Sequence, residues 1–234
     1  MKTKQLTKTL IKSSAECQKR LFLELNSPEL KTHSEDAFFS HLAAEGYKFE
    51  SIAQALFSNS AKQQTFISNN IQIRTDVLDE NLTEIKSSTS VTDENLLDLA
   101  IQAQILSELN INVKKYQVAY VNKDYVRGVT INPKKFVKID DVTKEVSALL
   151  PEVKQLIEKC RKTLALKTTP LKSCGKHCLE CPFVNHCSPE LLEYSIFHLR
   201  RGGYKIDELF QSGIKHLKDI PSFTKLSAFQ KLQV

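Results

Sequence analysis

Three charged side chains lie where a β-hairpin would bring them together, within residues 71–86. The first half of this stretch alternates apolar and polar residues as a strand does, and polar turn residues then separate it from a second strand. Glu84 and Lys86 are two residues apart and share one face of that second strand, and the hairpin places Asp76 beside them. Two converging carboxylates suit Mg²⁺ or Mn²⁺, and a neighbouring lysine can orient water or stabilise charge on a phosphate.

A second group of candidate ligands is a cluster of cysteines. Four of the six cysteines follow the pattern C-x3-C-x2-C-x5-C, at Cys174, Cys178, Cys181 and Cys187. Thiolates this close together chelate a soft metal with little loop-closure cost, so in a reducing compartment they predict a metal site rather than disulfides. The four together suit tetrahedral Zn²⁺, whereas three of them with the distant Cys17 suit a [4Fe–4S] cluster.

Regular elements must hold these groups in position, and hydrophobic periodicity, caps and turn residues predict where they lie. The predicted elements are helices over residues 13–25, 34–57, 93–109, 142–150, 151–166 and 189–199, and strands over residues 64–68, 71–78, 82–86, 114–122 and 124–132. Cys17 is expected in the first turn of the first helix, which Ser13 or Ser14 would cap.

The helix after the hairpin offers a further polar group. Thr92, followed by two acids, is a suitable N-cap. Leu99, Gln102 and Leu106 fall on one face of this helix, so Gln102 is an amide on an apolar stripe and needs polar partners. Asp98, one turn earlier, could help to orient Lys86 or a nearby hydroxyl, but it is expected to be exposed. The next strand follows a helical crossover and is predicted to join the sheet in parallel.

Length and composition indicate a globular protein. The 234 residues are enough for one large domain or for one domain with an appendage, and 41% of them are hydrophobic and 26% charged, as is usual for globular proteins. We divide them into an N-terminal helix and loop (1–33), a core (34–166), a cysteine loop (167–190) and a helical tail or linker (191–234). The net charge of +6 permits binding to a phosphate backbone. No apolar run approaches the ~20 residues that cross a bilayer, and the basic N-terminus lacks the apolar core of a signal peptide, so we expect a cytoplasmic protein without membrane contact.

The run RTDVL…LTEIKSSTSV, followed by a helix containing DLAIQ, resembles the PD-(D/E)xK nuclease superfamily. It is most similar to the RecB-like branch, which includes the CRISPR-associated iron–sulfur exonucleases. Within that branch it looks most like the N-terminal domain of an uncharacterised bacterial RecB-like family, whose larger members continue into an exonuclease-type domain. The resemblance covers nearly the whole chain and is strongest over residues 71–102 and 174–234. It implies a restriction-endonuclease-like α/β core with a mixed central sheet flanked by helices, followed by a cysteine-cluster loop and a small helical tail.

The resemblance also implies roles for individual residues. Asp76, Glu84 and the backbone carbonyl of Ile85 are expected to hold Mg²⁺ or Mn²⁺. Lys86 is expected to position the attacking water, and Gln102 to support the site. The implied activity is hydrolysis of nucleic-acid phosphodiester bonds, with DNA as the expected substrate.

The motif C-x2-C-P-F-x3-C, together with an N-terminal cysteine, resembles the cluster-binding part of the iron–sulfur nucleases. It implies a [4Fe–4S] cluster held by Cys17, Cys178, Cys181 and Cys187, with Cys174 as an alternative ligand. A local Zn²⁺ site is the alternative cofactor.

The sequence departs from these relatives at two points. They tend to carry a glutamate where this chain has Gln63 and Gln64, and a tyrosine where this chain has Leu106. Glu50 and His41 are candidates for an extra metal-facing group, although both are expected at the surface. Two alternatives therefore stay open: a catalytically weak or inactive nucleic-acid-binding module with the same fold, and a zinc-stabilised interaction domain.

Overall fold

The computed structural model describes residues 5–32, 37–171, 174–178, 181–189 and 194–234. Contacts within the chain divide it into two compact units. Unit 1 comprises Met1–Ala15 and Glu35–Leu164, and unit 2 comprises Glu16–Ser34 and Ala165–Val234. The division into four segments that we derived from the sequence is finer, and it stays a prediction.

Unit 1 is built on a six-stranded mixed sheet. Its strands are β1 (Leu6–Thr7), β2 (Ala61–Ser68), β3 (Ile71–Leu78), β4 (Asn81–Lys86), β5 (Lys115–Val121) and β6 (Val137–Asp141). Their order is β1-β3-β4-β5-β6, and β2 also pairs with β3. The β1–β3 and β4–β5 pairs are parallel and the other pairs are antiparallel. The predicted α/β class, with a mixed sheet and a parallel strand after the crossover helix, is confirmed.

Helices account for most of the remaining regular structure, and those of unit 1 flank the sheet. They are α1 (Lys8–Glu16), α2 (Gln18–Asn26), α3 (Ala37–Gln54), α4 (Asp93–Glu108), α5 (Pro133–Phe136), α6 (Thr143–Leu164), α7 (Val184–Cys187), α8 (Tyr204–Gln211) and α9 (Ala228–Lys231). Of the helices within the described ranges, none combines the length and apolarity that a membrane crossing requires.

The two faces of the sheet carry different helices. Phe49 and Ala53 of α3 pack in an apolar cluster with Val77 and Ile85. Side chains alternate along a strand, so Glu84, next to Ile85, points to the opposite face, where α4 lies. The helix α4 begins as predicted at the N-cap Thr92, in a reciprocal capping box with Asn95.

The strand β3 changes partner along its length, and this change opens the sheet. Its C-terminal end pairs with β4 through Val77 and Thr83, whereas its N-terminal end pairs with β1 through Ile71. Because β2 covers the other edge of β3 from end to end, β1 and β4 must share one edge. Asp76 lies where β3 and β4 part, and its Oδ2 accepts a hydrogen bond of 2.8 Å from the backbone N–H of Ile85. The Asp76 carboxylate thus takes the place of a backbone hydrogen bond between β3 and β4 at the point where the two strands separate.

The structure corrects two predicted elements of unit 1. Residues 124–132, predicted as a strand, form turns and irregular chain, and the strand that pairs with β5 is β6. The helix α6 continues through Pro151, where we predicted a boundary between two helices. Val146 and Val153 are buried on either side of the proline, and this burial outweighs the ~3 kcal/mol that an interior proline costs a helix.

The N-terminal prediction is also wrong in detail. The predicted single helix is two helices, and Cys17 lies between them rather than in a first turn. Cys17 is the N-cap residue of α2, with an extended backbone (φ −150°, ψ 104°).

Unit 2 has a small apolar core of its own, formed by buried aliphatic side chains that surround α8. These are Ile196, Leu199, Ile206, Leu209, Leu217 and Ile220. Part of the helix predicted over residues 189–199 falls outside the described residues, and Ile196–His198 within it is a 3-10 turn.

Candidate active site and cysteine cluster

Glu84 is the centre of the candidate site in unit 1, and only 2% of it is exposed. Its Oε1 lies 2.8 Å from the ammonium groups of both Lys8 and Lys86. Its Oε2 accepts a hydrogen bond of 2.6 Å from Gln102 Nε2. Burial by itself raises the pKa of Glu84, but the charges of Lys8 and Lys86 outweigh burial and hold it below its ordinary value. Glu84 is therefore ionised and held in one orientation.

A second buried carboxylate, Asp98 of α4, completes the network. Its Oδ2 lies 2.9 Å from Lys86 Nζ and 3.6 Å from Lys8 Nζ, and its Oδ1 lies 2.9 Å from Lys12 Nζ. Burial opposes ionisation, yet these ammonium groups lower the pKa of Asp98. The expectation that Asp98 is exposed is wrong, because only 1% of it is exposed. It lies one turn before Gln102, on the same face of the helix.

Lys86 bridges the two buried carboxylates. Burial disfavours its charged form, but Glu84 and Asp98 together raise the pKa of Lys86 above its ordinary value. Lys86 is therefore a cation at neutral pH and cannot act as a base. It can donate a hydrogen bond and supply positive charge.

The pKa of Asp76 is raised, in contrast to the lowered pKa values of Glu84 and Asp98. Burial, and then the negative charge of Glu84, raise the pKa of Asp76 to about 7, although the hydrogen bond from the Ile85 N–H works in the other direction. The two carboxylates are thus close enough to repel each other. A cation placed between them would relieve that repulsion.

A further acid approaches from α3. Glu50 lies close enough to Asp76 for its charge to raise the pKa of Asp76. Its Oε1 accepts hydrogen bonds from Gln54 Nε2 at 2.9 Å and from Gln63 Nε2. Gln63 has a positive φ of 53° on β2 and accepts a hydrogen bond from Arg74. Gln63 is thus an amide that binds a helix carboxylate, and Glu50 is half-buried rather than at the surface.

The structure brings the predicted site residues of unit 1 into one neighbourhood. These are Asp76, Glu84, Ile85, Lys86 and Gln102. Our sequence analysis missed two residues of the same network, Lys8 and Lys12, and it named Asp98 as a partner of Lys86 but expected it to be exposed. The spacing of four between the two lysines, directly after a short strand, was a signal that they share one helix face. Nothing in the sequence linked that face to the hairpin.

The chemistry of this donor set fits a hard divalent cation. Asp76, Glu84 and the carbonyl of Ile85 would supply oxygen ligands of the kind that Mg²⁺ and Mn²⁺ prefer. Gln102 is fully buried and its Oε1 has no hydrogen-bond partner in the described part of the chain, so one more oxygen is free near Glu84. The ammonium of Lys8 supplies positive charge to Glu84 in this arrangement.

In unit 2, the cysteines meet around one small cavity. Its lining includes Cys17, Cys174, Cys178, Cys181 and Cys187. The thiol of Cys178 interacts with Cys174, and this contact, with burial, raises the pKa of Cys178. The charges of Cys17 and Cys187 add to burial in raising the pKa of Cys181. Thiols that oppose one another's ionisation are soft donors that a metal would convert to thiolates.

The sixth cysteine, Cys160, is fully buried in unit 1 against Ser14 and is a core residue, as expected.

Across the described ranges, no group of three or more His, Cys, Asp or Glu side chains is arranged to hold a metal ion.

A scan against protein-family models found no match, and no curated protein is significantly similar in sequence. Among solved structures, the chain is similar to an alkaline exonuclease, LHK-Exo from Laribacter hongkongensis (13% identity, 70% of this chain and 94% of that chain covered, TM-score 0.40). It is similar to LHK-Exo in complex with dAMP (10% identity, 69% and 90% covered, TM-score 0.42). It is also similar to SSO0001 (18% identity, 80% and 87% covered, TM-score 0.43). At such low identities and scores, function must be inferred from this chain's own side chains.

Proposed function

We propose that the chain is a nuclease that uses a divalent cation to hydrolyse phosphodiester bonds in DNA. The observation that carries the proposal is the convergence of Asp76, Glu84 and Lys86 where β3 and β4 part. Buried charge of both signs at an opening in a sheet is costly for stability, and sites of this kind are often functional.

Each residue has a distinct task in this proposal. Asp76, Glu84 and the carbonyl of Ile85 would hold Mg²⁺ or Mn²⁺, and such an ion polarises the phosphate and lowers the pKa of bound water. Gln102 fixes the orientation of Glu84 through its hydrogen bond. Lys86 remains protonated and donates hydrogen bonds to the attacking water or to the charge that develops on the phosphate.

Asp98 acts on the reaction only through Lys86. Its carboxylate accepts from the Lys86 ammonium and limits the positions that the lysine can adopt. Lys12 compensates the remaining charge of Asp98 from α1.

We further propose that the cysteine cavity of unit 2 holds a structural [4Fe–4S] cluster, with Cys17, Cys178, Cys181 and Cys187 as ligands. The support is that Cys17 lines the same cavity as the C-terminal cysteines although more than 150 residues separate them. A Zn²⁺ ion held by the four C-terminal cysteines, including Cys174, is the alternative. Such a group would link the ends of unit 2 without taking part in cleavage.

Cleavage of labelled DNA, single- and double-stranded, with Mn²⁺ or Mg²⁺ tests the nuclease proposal. The parent protein should degrade DNA only with a divalent cation. Asp76→Ala and Lys86→Ala should each lower the rate at least ~100-fold while the far-ultraviolet circular dichroism spectrum is kept. Lys114→Ala, which removes an exposed lysine paired with Glu80, is the matched control and should not change the rate. Cleavage that persists in both site variants would refute the proposal.

A second candidate function is nucleic-acid binding without cleavage. It is favoured by the ammonium of Lys8 on Glu84 and by the amide of Gln63 where relatives have an acid. Binding of DNA with no Mn²⁺-dependent loss of label in the parent protein would select this alternative.

A further inference from the structure

The C-terminal part of unit 2 carries an open cleft with a volume of about 640 Å³, within the ~300–1,000 Å³ usual for ligand sites. It lies between the start of α8 and α9. Its lining includes Arg200, Arg201, Gly202, Gly203, Tyr204, Lys205, Ser227, Phe229 and Gln230. This cleft belongs to none of the sites described above.

The charge of the cleft is entirely positive. Its charged lining residues are Arg200, Arg201 and Lys205, and no Asp or Glu belongs to the lining. None of the three pairs with a carboxylate among the described residues, and Lys205 donates only to the backbone carbonyl of Lys225, at 2.5 Å. Residues 194–234 carry seven Lys and Arg against three Asp and Glu. Such a cleft is complementary to an anionic ligand.

Exposed aromatic rings lie among these cations. Tyr204 is 68% exposed and Phe229 is 69% exposed, although both line the cleft. The guanidinium of Arg200 lies 5.5 Å from the centre of the Phe229 ring, within the range of a cation–π contact. Rings left open to solvent beside positive charge are available to stack on planar groups of a ligand.

The backbone of the cleft is held in place. Gln230 is buried and donates a 2.9 Å hydrogen bond to the carbonyl of Arg200. A Cβ on Gly202 would lie 2.7 Å from the Ile206 side chain and 3.0 Å from the carbonyl of Leu199, so a larger residue there would force these neighbours to shift. The two arginines are therefore presented from a fixed segment.

We propose that this cleft binds single-stranded nucleic acid. Arg201 and Lys205 contact the phosphates, and Tyr204 and Phe229 stack on the bases. Positive grooves that interleave with aromatic rings bind single strands without sequence preference, because every base has a stacking face. A duplex hides these faces, so the rings specify an unpaired strand.

This binding site goes beyond the proposed function, since unit 2 contains none of the catalytic side chains. Its test is a binding measurement that does not depend on cleavage. Loss of nuclease activity and loss of cleft binding are therefore distinguishable.

The experiment uses the full chain with its cysteine-bound metal, in an Asp76→Asn background so that the probe survives. Fluorescence anisotropy measures the Kd of fluorescein-labelled oligo(dT) and oligo(U) of about 12 nucleotides, a length within the span of known single-strand-binding modules. The two probes distinguish DNA from RNA as the source of the strand. A blunt duplex of the same length is measured in parallel.

Tyr204→Ala and Phe229→Ala should each weaken single-strand binding about tenfold, whereas Tyr204→Phe should retain it. Phe223 is 86% exposed but lies outside the cleft, so Phe223→Ala is the matched aromatic control and should not change the Kd. Arg201→Ala should reduce the slope of log Kd against log salt concentration by about 0.7, the value of one phosphate contact to a single strand. Lys218→Ala is the matched charge control.

Three results would overturn the proposal. The first is unchanged binding in a Tyr204→Ala, Phe229→Ala double variant. The second is a loss of single-strand affinity in the Phe223→Ala and Lys218→Ala controls that equals the loss in the cleft variants. Such a result would indicate diffuse attraction to a basic surface. The third is a duplex that binds as tightly as the single strand and is equally sensitive to the ring substitutions.

Discussion

The candidate site depends on a balance between two buried carboxylates and three lysines. Glu84 and Asp98 are almost fully buried, and each needs a cation to stay ionised there. Lys8 contacts both carboxylates, so it belongs to the site as much as Lys86 does. A divalent cation bound to Glu84 would share with Lys8 the task of compensating the charge of Glu84.

Lys8→Met tests this balance, because it keeps the length of the side chain and removes its charge. Loss of one partner from a buried ionic network should destabilise the protein by about 1–3 kcal/mol, since Lys86 and Lys12 still compensate part of the charge. Chemical denaturation without added divalent ions measures the effect. Lys48→Met removes an exposed lysine paired with Glu45 and should leave the unfolding midpoint nearly unchanged. Equal effects of the two substitutions would show that Lys8 is an ordinary surface lysine.

The raised pKa of Asp76 predicts how stability depends on pH. The pKa of Asp76 rises on folding from its ordinary value near 3.8 to about 7, so the folded chain binds the proton more tightly than the unfolded chain. This group therefore lowers the free energy of unfolding as pH rises from about 4 to about 7. Asp76→Asn keeps an oxygen that can accept from Ile85 and removes the charge.

We expect Asp76→Asn to raise the melting temperature relative to the parent at pH 8, and to raise it less or not at all at pH 5. Thermal melts at both pH values, without divalent ions, measure the difference. Asp124→Asn, at an exposed position of the same unit, is the control. A change in melting temperature that is the same at pH 5 and pH 8 would contradict the raised pKa of Asp76.

At the scale of elements, the site exists because β3 cannot pair with both β1 and β4 along its whole length. The gap between them receives α1, which starts immediately after β1 with Lys8. The helix α4 closes the same region with Asp98 and Gln102 on one face. Substitutions that loosen either helix should therefore affect the site without touching its charges.

Thr92→Ala tests the contribution of α4. The Thr92 side chain accepts from the backbone N–H of Asn95, and its loss should cost about 1 kcal/mol of stability. Nuclease activity should fall as well, since the first turns of α4 carry Asp98. Thr130→Ala, at an exposed position without a cap role, should change neither quantity. Unchanged stability in Thr92→Ala would mean that packing alone defines the start of the helix.

The hairpin and α4 could be predicted because their signals are local. Strand alternation, turn residues and an N-cap all lie within the segments that they define. The same local reasoning predicted that Gln102, an amide on an apolar stripe, needs a polar partner, whereas its place in the site was implied by the resemblance. Asp98 lies one turn away on that face and should have been predicted as buried.

The remaining features depend on contacts between distant segments. Lys8 is 76 positions from Glu84, and no local pattern joins a two-residue strand to the hairpin. The strand β6 is exposed along most of its length and so lacks the alternation of a half-buried strand. Pro151 indicates a helix boundary, but burial on both sides of it overrides that local preference.

At the scale of the whole chain, two units with separate cores carry separate chemistry. The ionic site and the sheet belong to unit 1, and the cysteine cavity and the cationic cleft belong to unit 2. Unit 2 draws on segments from both ends of the sequence and has a modest apolar core. A small core of this kind commonly needs a covalent or metal link for stability.

Metal analysis of anaerobically purified protein therefore bears on the whole molecule. A [4Fe–4S] cluster should give a brown protein with a broad absorption band near ~400 nm and roughly four irons per chain. Cys17→Ser should remove most of that iron if Cys17 is a ligand, whereas Cys160→Ser, in the core of unit 1, should not.

A colourless protein with about one zinc per chain, unchanged in Cys17→Ser, would make the site local to the C-terminal cysteines. Cys174→Ser then tests the proposed ligand set, because a tetrahedral zinc site needs Cys174, whereas a cluster held by Cys17, Cys178, Cys181 and Cys187 does not. In the zinc case Cys17 would not bind the metal. Only packing around α2 would then hold the N-terminal segment of unit 2 against its C-terminal segment. In the cluster case the metal itself would join those ends, and its removal should lower the thermal stability of unit 2.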